Sequence, residues 1–261
     1  MTAAGPLPSP PPVPAPDAPR KCPVVIEFTI EGDLRFLAHH DELRLLARAL
    51  VRAGWPLAYS RGFNPRPRLT VPLPRNLGTG AACQVALTEL CEPRPADELS
   101  QSLARQLPAG CRLLRVVAPA PRATPHPRRA TYELDLETDD VPGLEARLDR
   151  LQALPELTVQ RDGGPFKRPH PIDIRPYIER LELDGQRLRL ALRFVEQRTA
   201  RPSEVITELG LAPHKYQHRL WRVDVQWDLE LARPTEGDTA QERNGIGNEE
   251  DNPQEGNEAL P

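Results

Sequence analysis

Two consecutive parts of the chain, residues 21–122 and 130–233, show the same succession of strand and helix patterns. In the first part, a β-branched run precedes an amphipathic helical segment that stops at Gly54. Two more strand patterns, a second helical segment and a fourth strand pattern follow. The predicted strands are residues 23–30, 68–73, 82–90 and 111–120, and the predicted helices are residues 41–54 and 96–110. The order strand–helix–strand–strand–helix–strand is typical of the ferredoxin-like, or split βαβ, arrangement.

The second part repeats this order with different residues and carries one strand pattern more. Its predicted strands are residues 130–137, 157–162, 172–185, 186–194 and 219–231, and its predicted helices are residues 143–154 and 201–211. The sequence therefore predicts an α+β protein built from two tandem ferredoxin-like (βαββαβ) units.

The two ends of the chain differ in composition from these parts. Residues 1–20 are rich in proline and alanine, and residues 234–261 carry eight acidic residues against one basic residue. Neither end has the apolar periodicity that builds a core, so we expect both to be disordered. No stretch of the sequence has the apolar pattern of a signal peptide or a membrane span. We therefore expect a cytoplasmic protein that does not associate with a membrane.

Charge is distributed unevenly along the chain. Residues 21–130 carry 16 Lys and Arg against 9 Asp and Glu, although the whole chain has a formal net charge of −3. A basic half of this kind favours an anionic partner such as RNA. The spacing of the four cysteines fits neither an iron–sulfur cluster nor a zinc site. We therefore predict no cofactor and no bound metal.

Arginines around the first predicted helix form the main candidate binding surface. Arg35 precedes the helix, and Arg44, Arg48 and Arg52 lie four residues apart, so they share one side of it. A loop rich in Gly, Pro and Asn follows the helix and carries the remaining candidates, Arg61, Phe63, Asn64, Arg66 and Arg68. An aromatic ring among arginines is how single-stranded nucleic acid is bound, by stacking and phosphate contact. The alternative is that Phe63 packs in the core and the arginines are merely solvated.

Two further groups of polar residues are candidates. His39 and Asp41 stand at the start of the first helix. The histidine is a metal ligand, a general base or a structural hydrogen-bond partner, and the aspartate either joins it as a ligand or complements the helix dipole. Asp173 and Arg175 flank Ile174 in a predicted strand and should point to the same side. They form either an ion pair within the strand or a polar site between the two units.

Three runs of sequence resemble the radical-SAM-linked protein family, which is built around a domain of unknown function. The runs are GDLRFLAHHDELRLLARALVRAGWPLAYS at 32–60, GFNPRPRL at 62–69, and IDIRP at 172–176 with RPSEVITELGL at 201–211. The resemblance implies a radical SAM enzyme as partner and implies no established activity. The chain departs from the family pattern at Ala38, His40, Arg66 and Ala81-Ala82, so a function that depends on the family's residues there would be lost.

These observations favour a non-catalytic partner of a radical SAM enzyme that binds or presents RNA or another anionic substrate. Two alternatives stay open. One is an RNA-processing enzyme of the tandem ferredoxin-like type that uses His39 as general base, and the other is a protein-docking scaffold.

Overall fold

The structure is a computed structural model, and it describes residues 22–162 and 168–229. The two ends that we expect to be disordered, residues 1–20 and 234–261, lie outside the described residues. The described part has the predicted α+β class, with a large and mostly antiparallel sheet and few helices. No helix in it combines the length and apolar character that a membrane crossing requires.

The first half contributes four strands and two helices. They are β1 (Cys22–Ile30), α1 (His39–Arg52), β2 (Leu69–Thr70), β3 (Gly80–Leu90), α2 (Ala96–Ala104) and β4 (Leu113–Val117). The strands lie in the order β4-β1-β3, and β2 pairs with the last residues of β3. All of these pairs are antiparallel.

Helix α1 forms because its apolar residues recur every three or four positions. Leu46 and Leu50 are fully buried and belong to one hydrophobic cluster with Ile26 and Phe28 of β1. Burial of each such side chain contributes about 1.5–3 kcal/mol, so this stripe determines which side of the helix faces the sheet. The arginine side of the helix is consequently left in solvent. The helix ends before Gly54, whose φ of +72° is readily adopted only by glycine.

The second half contributes six strands and three helices. Its elements are β5 (Pro127–Asp135), α3 (Leu144–Ala153), β6 (Thr158–Arg161), β7 (His170–Asp173), β8 (Ile178–Asp184), β9 (Arg187–Arg193), α4 (Pro202–Glu208), α5 (Pro213–Tyr216) and β10 (Leu220–Trp227). Four of these strands lie in the order β10-β5-β9-β8, again with antiparallel pairs.

Strand β10 joins the two halves into one sheet. It pairs in parallel with the start of β3, where Trp221 lies opposite Gly80 and Arg222 lies opposite Ala81. The result is a continuous eight-stranded sheet. Strands β2 and β10 therefore both pair with the edge of β3 opposite β1, with β10 at the start of β3 and β2 near its end.

The structure corrects two element predictions in the second half. The strand expected at residues 157–162 forms β6, but it pairs only with β7 in a separate two-stranded sheet. The segment 172–185 is not one strand, because Ile174 has helical backbone angles (φ −96°, ψ −8°) and a 3₁₀ turn follows it. Strand β8, after that turn, takes the place in the main sheet next to β9.

Candidate functional site

Residues 58–68 form a short, hydrogen-bonded projection, here called the loop hairpin. The Ser60 amide donates to the Arg66 carbonyl at 2.8 Å, and the Ser60 hydroxyl accepts from the Arg66 amide at 3.1 Å. At the base, the Ala58 amide donates to the carbonyl of Glu89 in β3 at 2.8 Å. The base is thus fixed to the sheet, and the tip projects away from it.

Phe63 stands at the tip of the loop hairpin, fully in solvent. Its relative exposure is 106%, which excludes the alternative that it packs in the core. The neighbouring Arg61 and Asn64 are exposed as well. Gly62 has a φ of +143°, a conformation that side chains rarely adopt, and it forms the bend at the tip. Because the Phe63 ring contributes no buried surface to the core, a ligand can contact it without disturbing the fold.

A groove of about 570 Å³, here called the α1 groove, lies between α1 and the loop hairpin. Leu43, Ala47 and Leu69 supply its apolar surface. Its polar lining consists of His40, Arg44 and Arg48 from the helix and Arg66 from the hairpin. Two of the three predicted helix arginines and one predicted loop arginine therefore meet at one surface.

The cations of this region differ in how far they are neutralised. Arg44 pairs with Asp41 at 3.1 Å, but both side chains are at least half exposed, so the pair is weak. Arg68 lies 3.3 Å from the carboxylate of Glu89. The guanidinium groups of Arg48, Arg61 and Arg66 make no ion pair or hydrogen bond within residues 22–162 and 168–229. These three groups are available to an anion.

Two of the predicted arginines that do not line the α1 groove make hydrogen bonds within the fold. Arg52 donates to the Gln106 carbonyl at 2.9 Å and to its side-chain oxygen at 3.3 Å, which ties the end of α1 to the segment after α2. Arg35 donates to the Gly32 carbonyl at 3.0 Å and to the carbonyl of His218 in the second half. Both guanidinium groups therefore connect separate segments of the fold.

His39 is half buried, and its Nδ1 atom is buried without a hydrogen-bond partner in the described part of the chain. At that atom it lacks the orienting partner that is typical of a catalytic base. The ring of His40 lies 5.7 Å away, centroid to centroid, and it is His40 that lines the groove. Across residues 22–162 and 168–229, no group of three or more metal-ligating side chains comes together.

The expected pairing of Asp173 with Arg175 is wrong, since the strand breaks between them. One Asp173 carboxylate oxygen accepts from the amides of Leu157 at 2.8 Å and of Arg175 at 2.9 Å. The Arg175 guanidinium instead donates to three carbonyls, those of Gln152, Leu154 and Ile178, at 2.6–3.0 Å. Both side chains thus form hydrogen bonds with backbone amides and carbonyls before and after β7, and not with each other.

Comparison with known proteins gives the family. Residues 24–204 match the family described as "Uncharacterized protein conserved in bacteria (DUF2344)". The chain belongs to this family. The match agrees with the expected domain of unknown function, while the link to radical SAM enzymes stays a prediction.

Other comparisons add little to the DUF2344 match. No curated protein is significantly similar to the chain in sequence. Among solved structures, the small subunit of acetolactate synthase from Thermotoga maritima is similar, with 11% sequence identity over 80% of this chain and 96% of that chain, and a TM-score of 0.22.

This DUF2344 chain also contains a buried ionic cluster, formed by Glu42, Arg75, Gln84 and Arg222, that the sequence did not reveal. Arg75 donates to Glu42 Oε2 at 2.9 and 3.2 Å, and Gln84 Nε2 donates to Glu42 Oε1 at 2.6 Å. Arg222 of β10 donates to Gln84 Oε1 and, at 3.1 Å, to the Leu73 carbonyl. Burial lowers the pKa of Arg75, and Glu42 opposes that shift. The only hint in the sequence is the position of Glu42, four residues before Leu46 on the apolar side of α1.

Proposed function

We propose that this protein binds a nucleic acid strand, most simply RNA, at the α1 groove and the loop hairpin. The observation that supports the proposal is the fully exposed Phe63 beside arginines that have no partner within the described residues. A base stacks on an aromatic face for about 1–3 kcal/mol. Arg48 and Arg66 supply planar donors for phosphate oxygens on either side of the groove. The tip of the loop hairpin thereby offers stacking, and the α1 groove offers phosphate contact.

The proposal includes a non-catalytic role beside a radical SAM enzyme in the cytoplasm. The resemblance of residues 32–69 to radical-SAM-linked proteins supports the partner. We also interpret each half as a ferredoxin-like unit, which the strand orders β4-β1-β3-β2 and β10-β5-β9-β8 support. A search for the partner by affinity purification of the full chain from native lysate should recover a radical SAM protein. Repeated purifications without one would contradict this part of the proposal.

The binding role is tested by titrating short single-stranded RNAs at two salt concentrations. Each phosphate contact to a single strand contributes about −0.7 to the slope of log affinity against log salt. The double substitution of Arg48 and Arg66 by Ala should therefore weaken binding and flatten the slope by about 1.4. Arg150→Ala removes an exposed arginine of α3 and is the matched control, which should leave both quantities unchanged.

Phe63→Ala separates stacking from charge. It should weaken binding by about 1–3 kcal/mol and leave the salt slope as it is, because no charge is removed. The melting temperature should stay at the wild-type value, since Phe63 buries no surface. If wild-type protein binds no RNA at low salt, or binds it independently of salt, RNA is not the ligand and the surface is better explained as a protein-docking site.

A further inference from the structure

A second groove, here called the sheet groove, lies on the other side of the loop hairpin's base. Its volume is about 350 Å³. It opens beside Val25, which packs with Val85 and Ala120 in a cluster separate from the one beneath α1. Successive β1 residues point to opposite faces of the sheet, so this groove belongs to the face that α1 does not cover. Its polar lining includes Arg68 and Arg122.

The two grooves meet at the edge of the sheet. Pro67 and Leu69 line both of them. Strand β2 is only two residues long, and among the described strands it pairs only with β3. Arg66 lines the α1 groove and Arg68 lines the sheet groove, so cations flank the point of contact on both faces. A ligand that leaves the α1 groove across β2 enters the sheet groove directly.

Arg122 is the free cation of the sheet groove. Within residues 22–162 and 168–229 its guanidinium makes no ion pair or hydrogen bond, whereas Arg68 is partly neutralised by Glu89 at 3.3 Å. The segment that carries Arg122 is held against β1, because the Ala120 amide donates to the Pro23 carbonyl at 2.8 Å. An exposed side chain on an anchored backbone provides a defined contact point for a second phosphate.

We infer that the bound strand passes over the short strand β2 from the α1 groove to the sheet groove, with Arg122 as a second phosphate-binding residue. This inference rests on the proposed RNA-binding function. It also specifies the ligand as single-stranded, because the path turns around the edge of a sheet. A duplex is too stiff for that turn, since the persistence length of DNA is about 150 base pairs.

Oligonucleotide length and Arg122 together test the path. Single-stranded RNAs of about four and about twelve nucleotides both lie within the range of known single-strand site sizes. The longer RNA should bind wild-type protein more tightly and with a steeper salt dependence. Arg122→Ala should reduce affinity for the longer RNA several-fold and flatten its salt slope by about 0.7, while the shorter RNA binds as before. Arg112→Ala, at an exposed arginine that lines neither groove, should change neither affinity.

The outcomes distinguish this path from the proposed function. If the longer RNA gains nothing over the shorter one, or if Arg122→Ala affects neither, the path is wrong while binding at the α1 groove stands. If a duplex of the same sequence binds as tightly as the longer single strand, the single-strand specification is wrong. If wild-type protein binds neither RNA at low salt, the proposed function fails and the path fails with it.

Discussion

Glu42 is a carboxylate placed inside a hydrophobic core. It is 1% exposed, and it neutralises only one of two buried guanidinium groups, those of Arg75 and Arg222. Removing a charge from water is expensive, and the cost is recovered only when every polar atom finds a partner. The buried Nε of Arg222 has no hydrogen-bond partner in the described part of the chain. The loss of another hydrogen bond in the cluster would leave a second buried polar atom without a partner.

Glu42→Gln should therefore destabilise the protein by about 3–5 kcal/mol, the usual cost of removing one partner from a buried ion pair. The substitution keeps the size of the side chain, so cavity formation does not contribute. Asp41→Asn, which removes an exposed carboxylate paired with Arg44, should cost less than about 1 kcal/mol. Urea denaturation of the two variants measures the difference, and equal losses would show that the cluster is not fully desolvated.

The four cysteines should differ in reactivity. Burial raises the pKa of Cys83 to about 11 and that of Cys111 to about 12. Because the thiolate is the nucleophile, both thiols should be almost unreactive towards iodoacetamide at pH 8. Cys91 is exposed and should be alkylated first, as peptide mass spectrometry of the native protein would show. Alkylation of Cys111 as fast as Cys91 would mean that the core opens readily.

An ionic cluster connects helix α5 to the turn that precedes α3. Lys215 Nζ lies 2.6 Å from Glu137 and 2.7 Å from Asp140. The hydrogen bond from Lys215 is the main cause that lowers the pKa of each carboxyl group. A carboxyl group whose folded-state pKa is lowered stabilises the fold above its unfolded pKa and loses that contribution as pH falls through the folded value.

The difference in melting temperature between wild type and Lys215→Gln should consequently depend on pH. We expect wild type to melt higher at pH 7, and the difference to shrink as the pH falls below the ordinary range of Asp and Glu. Thermal melts between pH 7 and pH 3 give the comparison, with Lys215→Arg as the control that retains the charge. A difference that stays constant over this range would show that the contacts of Lys215 do not depend on the ionised carboxylates.

Element prediction from the sequence succeeded where the pattern is local. The apolar spacing of α1 and its stop at Gly54 are properties of one short segment. Prediction failed where partners are distant. Strand β6 has a strand's composition, but only the fold decides that it pairs with β7 and not with the main sheet.

The same limit applies to the polar residues. The sequence indicated that arginines of α1 and the loop would share a surface, because chain connectivity brings them together. It did not indicate the buried ionic cluster, since Glu42 and Gln84 are 42 residues apart and Gln84 and Arg222 are 138 apart. Asp173 and Arg175 were misinterpreted because the break at Ile174 depends on contacts with α3 and with Leu157, which precedes β6.

At the scale of the whole molecule, the pairing of β3 with β10 makes the two halves one continuous sheet. Strands β3 and β10 pair through two residue pairs only, Gly80 with Trp221 and Ala81 with Arg222. The buried ionic cluster lies at the same junction and joins α1 to β10 through Gln84. A continuous sheet and a shared buried cluster predict that both halves unfold together in one transition.

Gly80→Ala tests this junction directly. A Cβ at Gly80 would lie 2.8 Å from the ring of Trp221, which is closer than van der Waals contact permits, so the strands must separate or the ring must move. Such overpacking costs about 1–3 kcal/mol. In a Trp221→Leu background the smaller side chain leaves room for the Cβ, so the same substitution should cost less there. The coupling energy from the four proteins, measured by urea denaturation, isolates the contact from any effect of alanine on the unfolded chain.

We expect single, coincident transitions by fluorescence and by circular dichroism in wild type, because the junction couples the halves. If Gly80→Ala leaves stability unchanged, or if the two probes already separate in wild type, the β3–β10 pairing does not hold the two halves together.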